Sequence, residues 1–161
     1  MGISIMRLCT AIYLVVFSLI CLAGGQTDPV YVAKTRQDIE TVYPELYKAL
    51  EDSGFYVIFE ANIGKNLARN AKKWGDEYNR NKFESVRSMV MCNPDYANKV
   101  LNLDPKMMAL CPLTVTLLYK EGTTTILFER LTPAATGSPA EDVLWEVENT
   151  IISAIESVTG N

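Results

Sequence analysis

The sequence predicts one α+β domain, an antiparallel sheet with helices packed on it. Two segments, 38–53 and 139–158, repeat their apolar residues at helical spacing. Between them lie four short runs rich in β-branched and aromatic residues. The last two are joined only by Lys120-Glu121-Gly122. A link that short makes a hairpin, so those strands run antiparallel. No repeat, linker or low-complexity run divides the chain.

Each element has its own signal. Thr27 to Lys34 partly alternates through Val30 and Val32, which suits a first strand. From Asp38 the period changes. Ile39, Val42, Tyr43, Leu46 and Leu50 fall on one helix face, and Pro44 is expected to kink that helix or delay its start. Ser53-Gly54 ends it, glycine being suited to a left-handed cap. FYVIFEA, Phe55 to Ala61, follows as a strand with Phe55, Val57 and Phe59 on one side. A short helix is expected from Gly64 to Trp74, with Leu67, Ala68, Ala71 and Trp74 inward, and Trp74, Tyr78 and Phe83 are read as core. A strand from Phe83 to Met91 comes next.

Asn93-Pro94 starts another helix, because Asn caps and Pro takes the first helical position. Tyr96, Val100, Leu101 and Leu103 are its apolar residues, and Asp104-Pro105 repeats the signal for a shorter turn. Leu113 to Tyr119 and Thr123 to Arg130 form the hairpin. Ser138-Pro139-Ala140-Glu141 reads as a capping box opening the last helix, Pro139 to Val158. Its stripe is Val143, Val147, Ile151, Ala154, Ile155 and Val158.

The N-terminus bears on location. Arg7 is the only charge before Asp28, and Leu8 to Ala23 is almost wholly apolar. That run is shorter than the ~20 residues that span a bilayer. Ala23-Gly24-Gly25 offers the small residues a signal peptidase reads. Residues 1–25 are therefore expected to be a signal peptide, leaving 26–161 as the mature domain with Gln26 first. An uncleaved anchor, or a lipoprotein joined through Cys21, are the alternatives; Ser18-Leu19-Ile20 lacks the small residue the lipoprotein wants. The formal charge of −4 becomes −5 once Arg7 is lost. An acidic exported chain suits neither nucleic acid nor anionic membrane surfaces. With no Asn-x-Ser/Thr sequon present, a periplasmic or secreted location is expected, without a membrane span after cleavage.

The order of elements, with Gly54-Phe55, Asn93-Pro94 after a strand, and Pro112 before the next, resembles the domain of unknown function 302 family from about Val30 to Ser157. The resemblance implies a β-α-β(4)-α layout related to the TATA-binding-protein-like fold. It also implies a homodimer, and a context near periplasmic electron carriers. It implies no reaction.

The mature chain keeps two cysteines, Cys92 and Cys111, near Met89, Met91, Met107 and Met108. Cys92 closes one predicted strand and Cys111 opens the next. If those strands are antiparallel, the two sulfurs share one end of the sheet. Three readings remain. A Cys92–Cys111 disulfide closes a loop worth ~3 kcal/mol and suits an oxidising compartment. A Cu(I) site uses both thiolates with Met89 and Met91, which alternation puts on one strand face, and at most one of Met107 and Met108. Otherwise sulfur simply fills the core.

There is no histidine, which removes Ser-His-Asp and Cys-His catalysis and His-based metal sites. No cofactor is expected unless it is copper. Carboxylate or cysteine chemistry remains as an enzymatic alternative, and it predicts a pocket holding a buried, perturbed carboxylate. Residues 65–87 carry a local excess of positive charge. Lys65, Arg69 and Lys72 fall at helical spacing, either as a docking patch for an anion or acidic partner or as a solvated face. The function expected is that of an exported, non-catalytic binding or accessory protein, acting through a small ligand or a periplasmic protein partner.

Overall fold

Asp38 begins the first helix as the sequence requires. Its carboxylate accepts from the Glu40 N–H at 2.8 Å, meeting one of the donors a helix start leaves unpaired. In the computed structural model, which describes residues 28–160, this helix, α1, spans Ile39–Asp52. The expected signal peptide lies outside the described residues. Strand β1 is Val30–Thr35. After α1 come β2 (Tyr56–Asn62), α2 (Ile63–Ala68), α3 (Ala71–Trp74) and β3 (Ser85–Cys92). Then follow α4 (Pro94–Leu103), a 3-10 segment (Pro105–Leu110), β4 (Leu113–Lys120), β5 (Thr123–Glu129), α5 (Thr132–Ala135) and α6 (Glu141–Thr159). Among the described residues no helix is long and apolar enough to cross a membrane.

The five strands form one sheet in the order β1-β5-β4-β3-β2, every neighbour antiparallel. Alternation sorts their side chains. One row crosses the sheet as Glu60, Met89, Val115, Phe128 and Tyr31, and the next as Asn62, Arg87, Leu117, Ile126 and Ala33. The apolar central members of these rows are buried beneath α1 and α6. From α1 the core takes Ile39, Val42, Tyr43, Leu46 and Leu50, the face read from the sequence. Pro44 sits inside α1 on its exposed side and neither ends nor delays the helix. The opposite sheet face leaves Val32, Tyr56, Ile58 and Phe59 about half exposed or more.

Several expectations are corrected. The pairing of β2 with β3 slips between Val57 and Phe59, so Ile58 is an extra residue and Phe59 turns to the open face. The helix expected from Gly64 to Trp74 is two short ones. Asn70 leaves α2 by donating to the Leu67 carbonyl at 2.9 Å, and its own carbonyl starts α3. Neither piece has a buried residue to hold it in register with the other. Leu67, Ala68 and Trp74 are exposed, and Tyr78 and Phe83 only half-buried, so this segment contributes nothing to the core. Strand β3 starts after Phe83, because the Asn79 amide bonds both the N–H and the carbonyl of Phe83 and holds it in the loop. Leu101 and Leu103 are exposed; α4 buries Val100 alone and half-buries Tyr96.

The last helix is turned slightly from the expected stripe. It buries Leu144, Val147, Glu148, Ile151, Ala154 and Ile155, with Val143 and Val158 at the margin. At its start Ser138 Oγ accepts from the Ala140 N–H at 3.1 Å, and Glu141 accepts from Gly137 at 2.7 Å. The helix therefore opens at Glu141 instead of Pro139.

Candidate dithiol pocket

Cys92 and Cys111 meet because β3 and β4 are antiparallel. The final ladder pair is Met91 with Leu113, and the two cysteines lie just beyond it. Their sulfurs are 4.0 Å apart, both half-buried. Between them the chain makes an excursion that returns to its origin. Asn93 caps α4 by accepting from the N–H groups of Asp95 and Tyr96 at 3.0 and 3.1 Å. Asp104 caps the 3-10 segment through Lys106 N–H at 3.1 Å. Its other carboxylate oxygen accepts from Ser138 Oγ at 2.8 Å, which ties the excursion to the approach of α6.

This excursion walls an apolar pocket of about 40 Å³. Cys92, Cys111, Met107 and Met108 are the sulfur-bearing residues of its lining. Phe55, Tyr96, Val100, Leu144 and Val147 supply much of the rest. Phe55 and Tyr96 stack with ring centroids 6.0 Å apart and planes 12° apart. The Tyr96 hydroxyl donates to Glu146 at 2.7 Å, which fixes the far end of that ring. Gly54 has φ of +82°, and a Cβ there would stand 3.0 Å from the Asn93 amide nitrogen. The end of α1 is thus fitted closely to the cap of α4.

Burial pushes the Cys111 thiol up, and the adjoining Cys92 sulfur adds to the effect. Cys111 is therefore protonated at neutral pH, unlike the depressed thiols of nucleophilic cysteines. Met89 and Met91, assigned to the metal reading by sequence, are fully buried on the helix-covered sheet face and do not line the pocket. The methionines that share it with the cysteines are Met107 and Met108. Strand alternation identified the face of Met89 and Met91 correctly; that face is core. Among the described residues no group of three or more His, Cys, Asp or Glu is placed to hold a metal ion.

The basic segment does not lie on one continuous helix. Lys65 lies in α2, Arg69 caps its C-terminus and Lys72 lies in α3, all exposed. The break at Asn70 removes the single helix face on which they were expected. Arg87, counted with this segment in sequence, belongs to the sheet. Its guanidinium stacks 4.2 Å from the Tyr43 ring and donates to both Glu40 oxygens, at 3.0 and 3.2 Å.

Sequence reading missed one buried carboxylate. Glu148 accepts from Arg130 at 2.8 Å, from the Leu131 and Thr132 N–H groups at 2.7 and 2.8 Å, and from the Thr132 hydroxyl at 3.0 Å. Burial pushes its carboxyl up, but the Thr132 N–H, the Arg130 guanidinium and the other donors outweigh this and hold it below the usual range. The signal was available, since Glu148 stands four residues after Leu144 and three before Ile151 on the buried stripe. Glu148 does not line the dithiol pocket. Its oxygens are occupied in fastening α6 to the loop after β5.

Comparison with known proteins agrees with this architecture. No curated protein matches the chain. Among solved structures, the crystal structure of an uncharacterised conserved protein of the same family description from Bacillus stearothermophilus is similar, with a TM-score of 0.66 and 18% identity over 80% of this chain and 96% of that one. A likeness at that identity speaks for the fold alone. The family model described as Domain of unknown function DUF302 matches residues 31–158, and the chain belongs to that family.

Proposed function

We propose that this protein is an exported accessory domain that acts by binding, not by turnover, and that its working site is the pocket beneath Cys92 and Cys111. The observation that carries the reading is the approach of the two sulfurs to 4.0 Å at the wall of an apolar pocket. Strand pairing and two capped turns bring them together, so the approach is built into the fold. Left empty in an oxidising compartment, the pair closes to a disulfide, for which the sulfurs must draw in to ~2.05 Å; reduced, it presents two thiols to the pocket. Its partner belongs to a periplasmic electron-transfer or redox system, the context the family resemblance suggests. The test is thiol counting on the mature chain before and after reduction, with peptide mass mapping. The reading expects Cys92 and Cys111 to react as a linked pair, and two independently reactive thiols overturn it.

A second reading concerns the uncovered sheet face. Tyr56, Ile58 and Phe59 are 55%, 61% and 62% exposed, which is unusual for three such residues on one edge strand. We propose that a second copy of the chain covers this face. Light scattering is expected to give a dimer mass, and the Ile58→Ser, Phe59→Ser double variant a monomer. A wild-type monomer at high concentration removes this reading.

A further inference from the structure

We propose that the dithiol pocket is a three-coordinate Cu(I) site, with Cys92 and Cys111 as thiolate ligands and a thioether from Met107 or Met108 as the third. The inference rests on the reading of this pocket as the working site and names its ligand.

Three observations carry it. The first is the sulfur spacing. With metal–sulfur bonds of about 2.3 Å, a separation of 4.0 Å corresponds to a sulfur–metal–sulfur angle of about 120°. That is the angle of a trigonal site, whereas a disulfide needs the sulfurs about 2 Å closer. The second is the donor set. Two cysteines and two methionines share one lining, and thiolate with thioether selects Cu(I). Zinc asks for four ligands of the Cys, His, Asp and Glu type, and no group of even three stands together among the described residues. The third is the setting. The pocket, of about 40 Å³, is walled almost wholly by apolar surface, Phe55, Val100 and Leu144 among it, and an apolar shell of that kind limits the solvent that reaches a bound ion.

Loading is a proton exchange with no electron transferred. Two S–H bonds break, two Cu–S bonds form, and both protons pass to water. The thioether donates a lone pair and loses nothing.

The test titrates Cu(I) under anaerobic, reducing conditions into the mature chain, in competition with a chromogenic Cu(I) chelator. One Cu(I) per chain is expected. Cys92→Ser and Cys111→Ser should each weaken binding by more than the roughly 10- to 100-fold that loss of a supporting contact costs a metal site. The Met107→Leu, Met108→Leu double variant should weaken it by at least about tenfold, and X-ray absorption should lose one sulfur from the copper shell. Met91→Leu, on the covered sheet face, should leave affinity unchanged. Failure to retain Cu(I) with both thiols reduced, in a chain whose cysteines were linked before reduction, overturns the metal proposal but not the pocket reading. A drop on Met91→Leu with none on the double variant places the metal elsewhere and also overturns it. Thiols that are independent before reduction and bind no Cu(I) afterwards overturn both.

Discussion

Two segments of similar length leave the sheet and return to it, residues 63–84 after β2 and residues 93–112 after β3. Both open on an asparagine that caps a helix. Asn62 accepts from the Lys65 N–H at 2.8 Å, and Asn93 from Asp95 and Tyr96. Beyond the caps they diverge. The first is polar and basic, breaks at Asn70, and has no buried residue in any of its helical pieces. The second turns Tyr96, Val100, Met107, Met108 and Leu110 onto Phe55, Leu144 and Val147. A cap starts a helix, but the apolar contacts made afterwards decide whether the segment joins the core. Only the second segment carries sulfur, and it is the one whose ends the sheet clamps together.

The largest expected contrast is between two aromatic residues. Phe55→Ala opens the wall of the dithiol pocket and should cost about 3–5 kcal/mol. Trp74→Ala, on the exposed segment, should change stability by no more than about 0.5 kcal/mol. Chemical denaturation of both variants measures the difference, and equal losses would break the contrast.

Glu148 sharpens it from behind, because it holds α6, which forms one side of the pocket. Glu148→Ala leaves Arg130 and two N–H groups without their acceptor and should cost about 3 kcal/mol. Its carboxyl is held below the ordinary range in the folded chain. The stability it adds is therefore present above the unfolded carboxyl value and is lost as pH falls through the folded one. Melting temperature plotted against pH should fall in acid for the wild type, and Glu148→Gln should flatten that fall.

The smallest contrast is between the caps. Asn93→Ala should cost about 1 kcal/mol and weaken the linkage between Cys92 and Cys111, since the cap anchors the turn between them. Asn62→Ala should cost about 0.5 kcal/mol and leave the thiols unaffected. Paired melts and thiol titrations of the two variants check this.

Much of the fold was legible because local signals and tertiary packing agree. The α1 face, both asparagine-proline and aspartate-proline starts, the Lys120 to Thr123 hairpin and most of the α6 stripe are periodicities or caps that packing then uses. What escaped depends on partners distant in sequence. The extra residue at Ile58 follows from pairing with β3, and nothing in FYVIFEA marks it. Leu67 and Trp74 have helical spacing but stay more than a third exposed, outside the core. Glu148 resembles an interruption of the stripe until Arg130 and the Thr132 N–H are seen beside it. The candidate site was half legible. The cysteines could be placed together once an antiparallel pairing of their strands was assumed. Their methionine neighbours were legible only in part: Met107 and Met108, of which one at most was expected, come around on the 3-10 segment, while Met89 and Met91 follow the strand into the core.

The most direct test of the central claim, that Cys92 and Cys111 act as one unit, is native mass spectrometry of the protein recovered from the periplasm of a producing cell, without added reductant. The account predicts a mature chain either two hydrogen masses light, with the two cysteines in one linked peptide, or carrying one copper. A metal-free chain at full reduced mass, with each thiol alkylated independently of the other, would contradict it.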